Sequence, residues 1–140
     1  MSEIVNSAIF AGYYKNLAKI AEFIQQAAQD AGFDSATIYQ IELAVDEASS
    51  NIIEHAYGGE GIGNIECSYE ISPSSLTIKL KDYGKPFDPK EIEEPDLNAP
   101  LYKRGNHGLG LFFIRELIDE VTFHFDQENG NTLTLVKYRS

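Results

Sequence analysis

Cysteine, long apolar runs and a leader-like start are scarce or missing in this sequence. Cys67 is the single cysteine, so no disulfide can form within the chain, and a reducing compartment is favoured. No segment approaches the ~20 consecutive apolar residues that span a bilayer. Residues Met1 to Ile9 lack the basic start and the long apolar run of a signal peptide. These absences predict a soluble, cytoplasmic protein.

Positive charge is also scarce, because 22 Asp and Glu residues outnumber 11 Lys and Arg residues and give a net charge of −11. Such a surface repels a phosphate backbone and anionic lipid, which argues against direct binding to nucleic acid or to a membrane. A basic protein partner is compatible with this charge. A small anionic ligand is compatible only where backbone N–H groups or a divalent cation overcome the global field.

The hydrophobic pattern of the 140 residues predicts a single domain over 1–140. Helical spacing of apolar residues predicts helices over 14–31, over 35–56 with Ser35 as N-cap, and over 107–119. Alternation and turn residues predict strands over 8–11, 64–71, 76–82, 121–125 and 132–138. This order predicts an α+β fold with three helices on one face of a mixed, mostly antiparallel sheet.

The second predicted helix carries a polar row in which Glu47, Asn51 and His55 are spaced four apart. Each lies one position, ~100° of rotation, before a residue of the apolar stripe, so the row borders the buried face. A carboxamide oxygen such as that of Asn51 is a suitable ligand for Mg²⁺. A carboxylate one turn away is placed to take a proton from a hydroxyl. A solvated polar edge of an amphipathic helix is the other interpretation.

The third predicted strand ends in an aspartate, Asp82, that shares parity with Leu76, Ile78 and Leu80. Its side chain is therefore expected to face the helices, where a carboxylate needs a donor. The exocyclic amine of adenine is a suitable one, and Gly84 would let a flat ring approach the backbone. The alternative is a strand that ends at Lys81, which would leave Asp82 in an exposed turn.

A glycine-rich loop, Gly105 to Leu111, precedes the third predicted helix. Gly108 and Gly110 would each weaken the first helical turn by ~1 kcal/mol, so their presence needs a reason. One reason is the close approach of phosphates to bare N–H groups. The other is close packing of the helix on the sheet. The loop is not a Walker A motif, because no Gly-Lys-Ser/Thr follows. It is not a Rossmann motif either, because no strand leads directly into it.

Four motifs in this order resemble the N, G1, G2 and G3 boxes of the GHKL ATPases. They are Glu47-x-x-x-Asn51, Asp82-x-Gly84-x-Pro86-Phe87, Gly105-x-x-Gly108-x-Gly110 and Gly130-Asn131-Thr132. Within that superfamily, the short chain and the run from Glu42 to Tyr57 look most like the anti-sigma-factor serine/threonine kinases. This resemblance implies a two-layer α/β sandwich, the Bergerat ATP-binding fold, with a mobile lid over approximately 88–107.

The resemblance also implies roles for individual residues. Glu47 would be the general base for a serine hydroxyl, Asn51 a ligand of Mg²⁺, and Asp82 the partner of the adenine amino group, with Thr132 assisting through water. The implied nucleotide-binding set is Asn51, His55, Asp82, Gly84, Arg104, Gly105, His107, Gly108, Leu109, Gly110, Leu111 and Thr132. These kinases often carry an arginine beside the glycine loop where this chain has Asn106, so Lys103 or Arg104 is the candidate phosphate-binding cation.

The implied partners are an antagonist protein with a serine to be phosphorylated, a sigma factor, and a second copy of the chain in a homodimer. ATP and Mg²⁺ are the implied cofactors. A non-catalytic module, in which ATP only controls the binding of a partner, is the second hypothesis. The catalytic part of a histidine kinase is disfavoured, because none of the three histidines lies on a long preceding helix that could present a phosphoacceptor.

Overall fold

Five strands form one sheet in the computed structural model, which describes residues 4–86 and 113–139. The strands are β1 (Ile4–Ala11), β2 (Asn64–Ile71), β3 (Ser75–Asp82), β4 (Glu120–Asp126) and β5 (Gly130–Tyr138). Their order across the sheet is β1-β2-β3-β5-β4, and every neighbouring pair is antiparallel. The predicted α+β class is confirmed, and the parallel pairing implied by a mixed sheet is not found among the described strands.

Two long helices cover one face of this sheet, α1 (Leu17–Asp30) and α2 (Ser35–Asn51). A 3₁₀ turn, Tyr14–Asn16, leads into α1, and residues 113–117 are also helical. The helices and the central strands share one apolar core. Apolar residues occur at every second position of the strands and at every third or fourth position of the helices, so they face the same layer between helices and sheet. Its members include Ile20, Ile24, Ile41, Val45, Ile65, Cys67, Ile78 and Leu80.

The helix α2 differs from the sequence prediction at both ends. Its N-cap is Asp34 rather than Ser35, since the Asp34 Oδ1 accepts a hydrogen bond from the Thr37 N–H at 2.8 Å. At the other end the α-helix stops at Asn51 and a π-helical turn, Ile52–Ala56, follows. In that turn the Tyr57 N–H donates to the Ile52 carbonyl at 3.0 Å, five residues back.

The strand β1 is also longer than predicted. It begins at Ile4, and each of its residues pairs with β2 over the whole length. Asn6 and Ser7 interrupt its apolar pattern, and this is why the sequence predicted a strand only from residue 8. In the part of the chain that the structure describes, no helix is both long and apolar enough to cross a membrane.

Candidate functional site

The end of β3 carries a buried carboxylate. Asp82 is the last residue of that strand and is only 6% exposed. It is paired with Asn131 of β5, which is 6% exposed as well. The expectation that Asp82 shares the inward face with Leu76, Ile78 and Leu80 is confirmed, and the alternative of an exposed turn residue is not.

Two protein donors hold the Asp82 carboxylate in place. The Gly84 N–H and the Asn131 Nδ2 each donate to Oδ1, at 2.9 Å in both cases. Burial raises the pKa of Asp82 above its ordinary value, while these two hydrogen bonds favour the charged form and oppose that rise. Both hydrogen bonds that the described residues make to this carboxylate end on Oδ1, so Oδ2 is the oxygen that a ligand would meet.

Asn131 belongs to the site and had no assigned role in the sequence analysis. Besides Asp82, its Nδ2 donates to the Gly84 carbonyl at 3.0 Å, so one amide holds both the strand end and the turn after it. Thr132 does not occupy this position. It pairs with Lys81, so its side chain lies on the opposite face of the sheet from Asp82, and its assisting role through water stays a prediction from the family resemblance.

The turn after Asp82 lies against the end of the π-helical turn that follows α2. The Lys85 N–H donates to the Ala56 carbonyl at 2.7 Å. A Cβ on Gly84 would lie 2.4 Å from that same carbonyl oxygen, so only glycine allows this approach of backbone to backbone. The observed neighbour of Gly84 is therefore Ala56, and this contact places the end of the π-helical turn that follows α2 beside the Asp82 site.

Tyr57 fixes the same turn from the other side and was also missed in the sequence. Its hydroxyl donates to the Asn64 carbonyl at 2.6 Å and accepts from the Tyr83 N–H at 3.0 Å. Burial raises the pKa of this hydroxyl, which keeps it protonated and able to donate. Gly63 lies under the Tyr57 ring, where an added Cβ would come within 2.4 Å of a ring carbon. Tyr57 thus joins the start of β2 to the end of β3.

The polar row on α2 lies where the sequence predicts it, at the border of the core. Asn51 is partly buried and Glu47 is exposed, while the adjacent Ala48 and Ile52 are buried. Partial desolvation, followed by the negative charges of Asp46 and Glu54, raises the pKa of Glu47. A raised pKa makes this carboxylate a better proton acceptor, which suits a general base.

His55 lies in the π-helical turn, outside the regular α-helical row of Glu47 and Asn51. The wider turn changes the rotation per residue, so the spacing of four no longer stacks His55 over Asn51 as an α-helix would. Its Nε2 is 3.8 Å from the Glu54 Oε2. The amide oxygen of Asn51 and the carboxylate of Glu47 are hard oxygen donors, and their chemistry fits a Mg²⁺ ion that a nucleotide brings with it.

The remaining predicted nucleotide-binding residues lie outside the described part of the chain, together with the predicted lid over 88–107. They stay predictions from the sequence: Arg104, Gly105, His107, Gly108, Leu109, Gly110 and Leu111.

Comparison with known proteins identifies the class to which this fold and site belong. The family model described as histidine kinase-like ATPase domain matches residues 10–137. The chain therefore belongs to the histidine kinase-like ATPase family, which makes it an ATP-binding domain and confirms the resemblance stated from its motifs.

The relatives are more specific. The serine-protein kinase RsbW of Listeria innocua serovar 6a is 32% identical over 134 residues, which cover 89% of this chain and 80% of the relative. The serine-protein kinase RsbW of a Bacillus cereus strain is 32% identical over 111 residues, which cover 76% of this chain and 68% of the relative. The chain is therefore similar in sequence, over most of its length, to proteins named serine-protein kinase RsbW.

A solved structure agrees with the fold. It contains the RsbU and RsbW domains of a Mycobacterium tuberculosis protein and matches with a TM-score of 0.68 at 16% sequence identity. The match covers 98% of this chain and 33% of that chain, so the present chain spans a third of the longer one. At this identity the likeness confirms the fold and nothing further.

Proposed function

We propose that this protein is a serine kinase that transfers the terminal phosphoryl group of ATP to a serine of an antagonist protein, and that it also binds a sigma factor. The observation that carries the proposal is the buried Asp82 carboxylate, held by two donors beside the end of α2. The family match and the name of the relatives, serine-protein kinase, support phosphotransfer. The proposed form is a cytoplasmic homodimer.

Asp82 selects the base in this proposal. Because Oδ1 already accepts two hydrogen bonds, Oδ2 receives the exocyclic amine of adenine. Guanine has a carbonyl at that position, which would bring an acceptor against a buried carboxylate and leave both without a donor. Nucleotides of adenine are therefore expected to bind and those of guanine to be rejected.

Glu47 and Asn51, both on α2, are the residues that act in phosphoryl transfer in this proposal. When bound, Mg-ATP supplies an activated terminal phosphoryl group whose transfer depends on positioning and charge stabilisation. Glu47 accepts the proton of the serine hydroxyl as the serine oxygen bonds to phosphorus, and ADP leaves with the electron pair of the broken bond. Asn51 would hold Mg²⁺ through its amide oxygen. The backbone N–H groups of 108–110 and the charge of Arg104 complete the proposed phosphate site.

The test is a phosphotransfer assay with labelled ATP and purified candidate antagonist proteins. Glu47→Gln is expected to lower transfer by about a hundredfold or more, because general-base catalysis contributes factors of ~10²–10⁴. Binding of Mg-ATP, measured by calorimetry, is expected to persist in this variant. In the wild type, transfer should rise with pH through a pKa above the ordinary glutamate value, since only the deprotonated carboxylate accepts a proton.

Glu22→Gln is the matched control, because it makes the same change at an exposed glutamate of α1. It is expected to leave transfer unchanged. A Glu47→Gln protein that transfers phosphate at the wild-type rate would remove Glu47 from the chemistry. If wild-type protein binds Mg-ATP tightly but phosphorylates no candidate, the non-catalytic binding module becomes the better hypothesis.

A further inference from the structure

Two exposed apolar side chains precede Glu47 on the same helix. Tyr39 is 62% exposed and Leu43 is 40% exposed. Tyr39, Leu43 and Glu47 are spaced four apart, so they follow one another along one side of α2, in a row that turns slowly around the axis. Ile41 and Val45 of the same helix are fully buried. α2 therefore has an apolar strip, Tyr39 and Leu43, that lies outside the buried core and leads to Glu47.

The position of the nucleotide site decides the side from which a protein substrate approaches. Asn51 lies one turn beyond Glu47, and Ala56 contacts the turn that follows Asp82. With the nucleotide on the C-terminal side of Glu47, as the proposed function places it, the N-terminal side is left for the hydroxyl of an acceptor protein. The apolar strip lies on that side.

The distances suit an extended segment of the acceptor. At 1.5 Å per helical residue, Leu43 lies ~6 Å and Tyr39 ~12 Å from Glu47 along the axis. An extended segment advances ~3.3 Å per residue, so these distances correspond to the side chains about two and four residues from the serine. Tyrosine and leucine offer apolar area of the kind that anchors protein contacts.

The charged residues of α2 itself, Glu42, Asp46 and Glu47, are all acidic, while Lys137 and Arg139 lie near Thr37 at the N-terminal end of the helix. No lysine or arginine occurs between Lys19 and Lys79, and Glu42 and Asp46 border the strip. The acidic residues of that long stretch are Glu22, Asp30, Asp34, Glu42, Asp46, Glu47, Glu54, Glu60, Glu66 and Glu70. A surface of this kind attracts a basic partner and repels an acidic one.

We propose that Tyr39 and Leu43 form the docking surface for the serine-bearing segment of the acceptor protein. That segment carries apolar side chains about two and four residues from its serine and basic residues at its edges. The proposal rests on the proposed function, because the strip is defined by its distance from Glu47 as the proton acceptor. It adds to that function the surface that recognises the substrate and the chemistry of the recognised segment.

The probe is a fluorescent synthetic peptide with a central serine, leucines two and four residues to either side, and lysines at both ends. A matched peptide carries glutamates in place of the lysines. Binding to the full chain is measured by fluorescence anisotropy without ATP. The lysine peptide is expected to bind at least tenfold more tightly than the glutamate peptide. Leu43→Gln and Tyr39→Gln are each expected to weaken its binding about tenfold, because a buried apolar contact is lost.

Glutamine keeps the helix propensity of the replaced position high, so these variants are expected to fold. Ile9→Gln is the matched control, since Ile9 is 67% exposed on β1, and it should bind the peptide like the wild type. Equal binding of the lysine peptide to wild type and to Leu43→Gln, or equal affinity for the two peptides, would overturn the proposal. A Leu43→Gln protein with altered sedimentation mass and unaltered peptide binding would do so too, and would assign the strip to a second copy of the chain.

The two proposals fail separately in this design. Peptide binding is measured without nucleotide and does not depend on phosphotransfer. If the peptide binds in a way that depends on Leu43 but the protein transfers no phosphate, only the kinase proposal fails. Conversely, phosphorylation of a protein acceptor with the same KM in wild type and Leu43→Gln counts against the docking surface alone. The supporting result is a KM for the acceptor that rises about tenfold in Leu43→Gln, while kcat and the Kd for Mg-ATP stay unchanged.

Discussion

A single buried carboxylate, that of Asp82, connects the fold to the choice of nucleotide. Burial disfavours its charged form, and the Asn131 amide and the Gly84 N–H only partly offset that cost, because its pKa remains raised. A group whose folded-state pKa is raised stabilises the fold most when it is protonated. That contribution is fully present below the ordinary pKa of aspartate and is lost as pH rises through the raised value.

Asp82→Asn is therefore expected to increase stability while it removes nucleotide binding. The new amide keeps an oxygen for the two donors and removes the buried charge, so the free energy of unfolding at pH 7 should rise by about 1 kcal/mol or more. Urea unfolding measures this gain, which should shrink as pH falls towards the ordinary aspartate pKa. Calorimetry should show no binding of Mg-ATP, because an amide N–H would face the adenine amine. A variant less stable than wild type at pH 7 would contradict the assigned cost of burial.

Asn131 and Thr132 are neighbours in sequence but lie on opposite faces of the sheet, and this gives a matched pair of substitutions. Asn131→Ala removes a donor to Asp82 and to the Gly84 carbonyl, so it should lower the free energy of unfolding by about 1–3 kcal/mol and weaken ATP binding. Thr132→Ala should leave ATP binding unchanged. Thermal unfolding and calorimetry measure both effects. Loss of ATP binding in Thr132→Ala alone would support the role that the family resemblance implies for Thr132.

These two residues also show what sequence alone reveals about the site. The inward direction of Asp82 follows from its parity within one strand, which is a local property of the sequence. The contact between Asp82 and Asn131 depends on the register between β3 and β5, whose paired residues are far apart in sequence. A slip of one residue would exchange Asn131 for Thr132 at this position, and nothing in either strand alone fixes that register.

At the scale of elements, the site depends on how the end of α2 meets the ends of β2 and β3. The π-helical turn, the Ala56–Lys85 backbone hydrogen bond and the Tyr57 hydroxyl make this junction. The helix itself was predictable from its apolar stripe. The change to π-helical bonding was not, because Ile52 and Ala56 continue the α-helical spacing of the apolar stripe.

Tyr57→Phe tests this junction. The substitution keeps the ring over Gly63 but removes the hydroxyl that bonds the Asn64 carbonyl and the Tyr83 N–H. The free energy of unfolding should fall by about 1–2 kcal/mol, and ATP binding should weaken because the turn after Asp82 loses one of its supports. Tyr14→Phe, at an exposed tyrosine, is the control and should change neither quantity. Equal unfolding and binding curves for the two variants would show that the Tyr57 hydroxyl does not support the site.

At the scale of the whole molecule, the reaction of one cysteine with a thiol reagent can report how often the sheet opens. Cys67 lies in β2 between β1 and β3, is fully buried, and has its pKa raised to about 12 by burial. The reactive thiolate is scarce in the folded protein, and a thiol reagent can reach it only when the sheet opens. No other cysteine competes for the reagent.

Mg-ATP is expected to slow the labelling of Cys67 in proportion to its stabilisation of the fold. A ligand that binds only the folded state at 100 times its Kd lowers the unfolded population ~100-fold, so labelling through global unfolding should slow by the same factor. Mg-GTP, and Mg-ATP added to Asp82→Asn, should leave the rate unchanged. If Mg-ATP binds in calorimetry and the rate still does not fall, Cys67 is exposed by a local separation of β1 from β2. The nucleotide site at the end of β3 would then belong to a part of the sheet that stays folded while its edge opens.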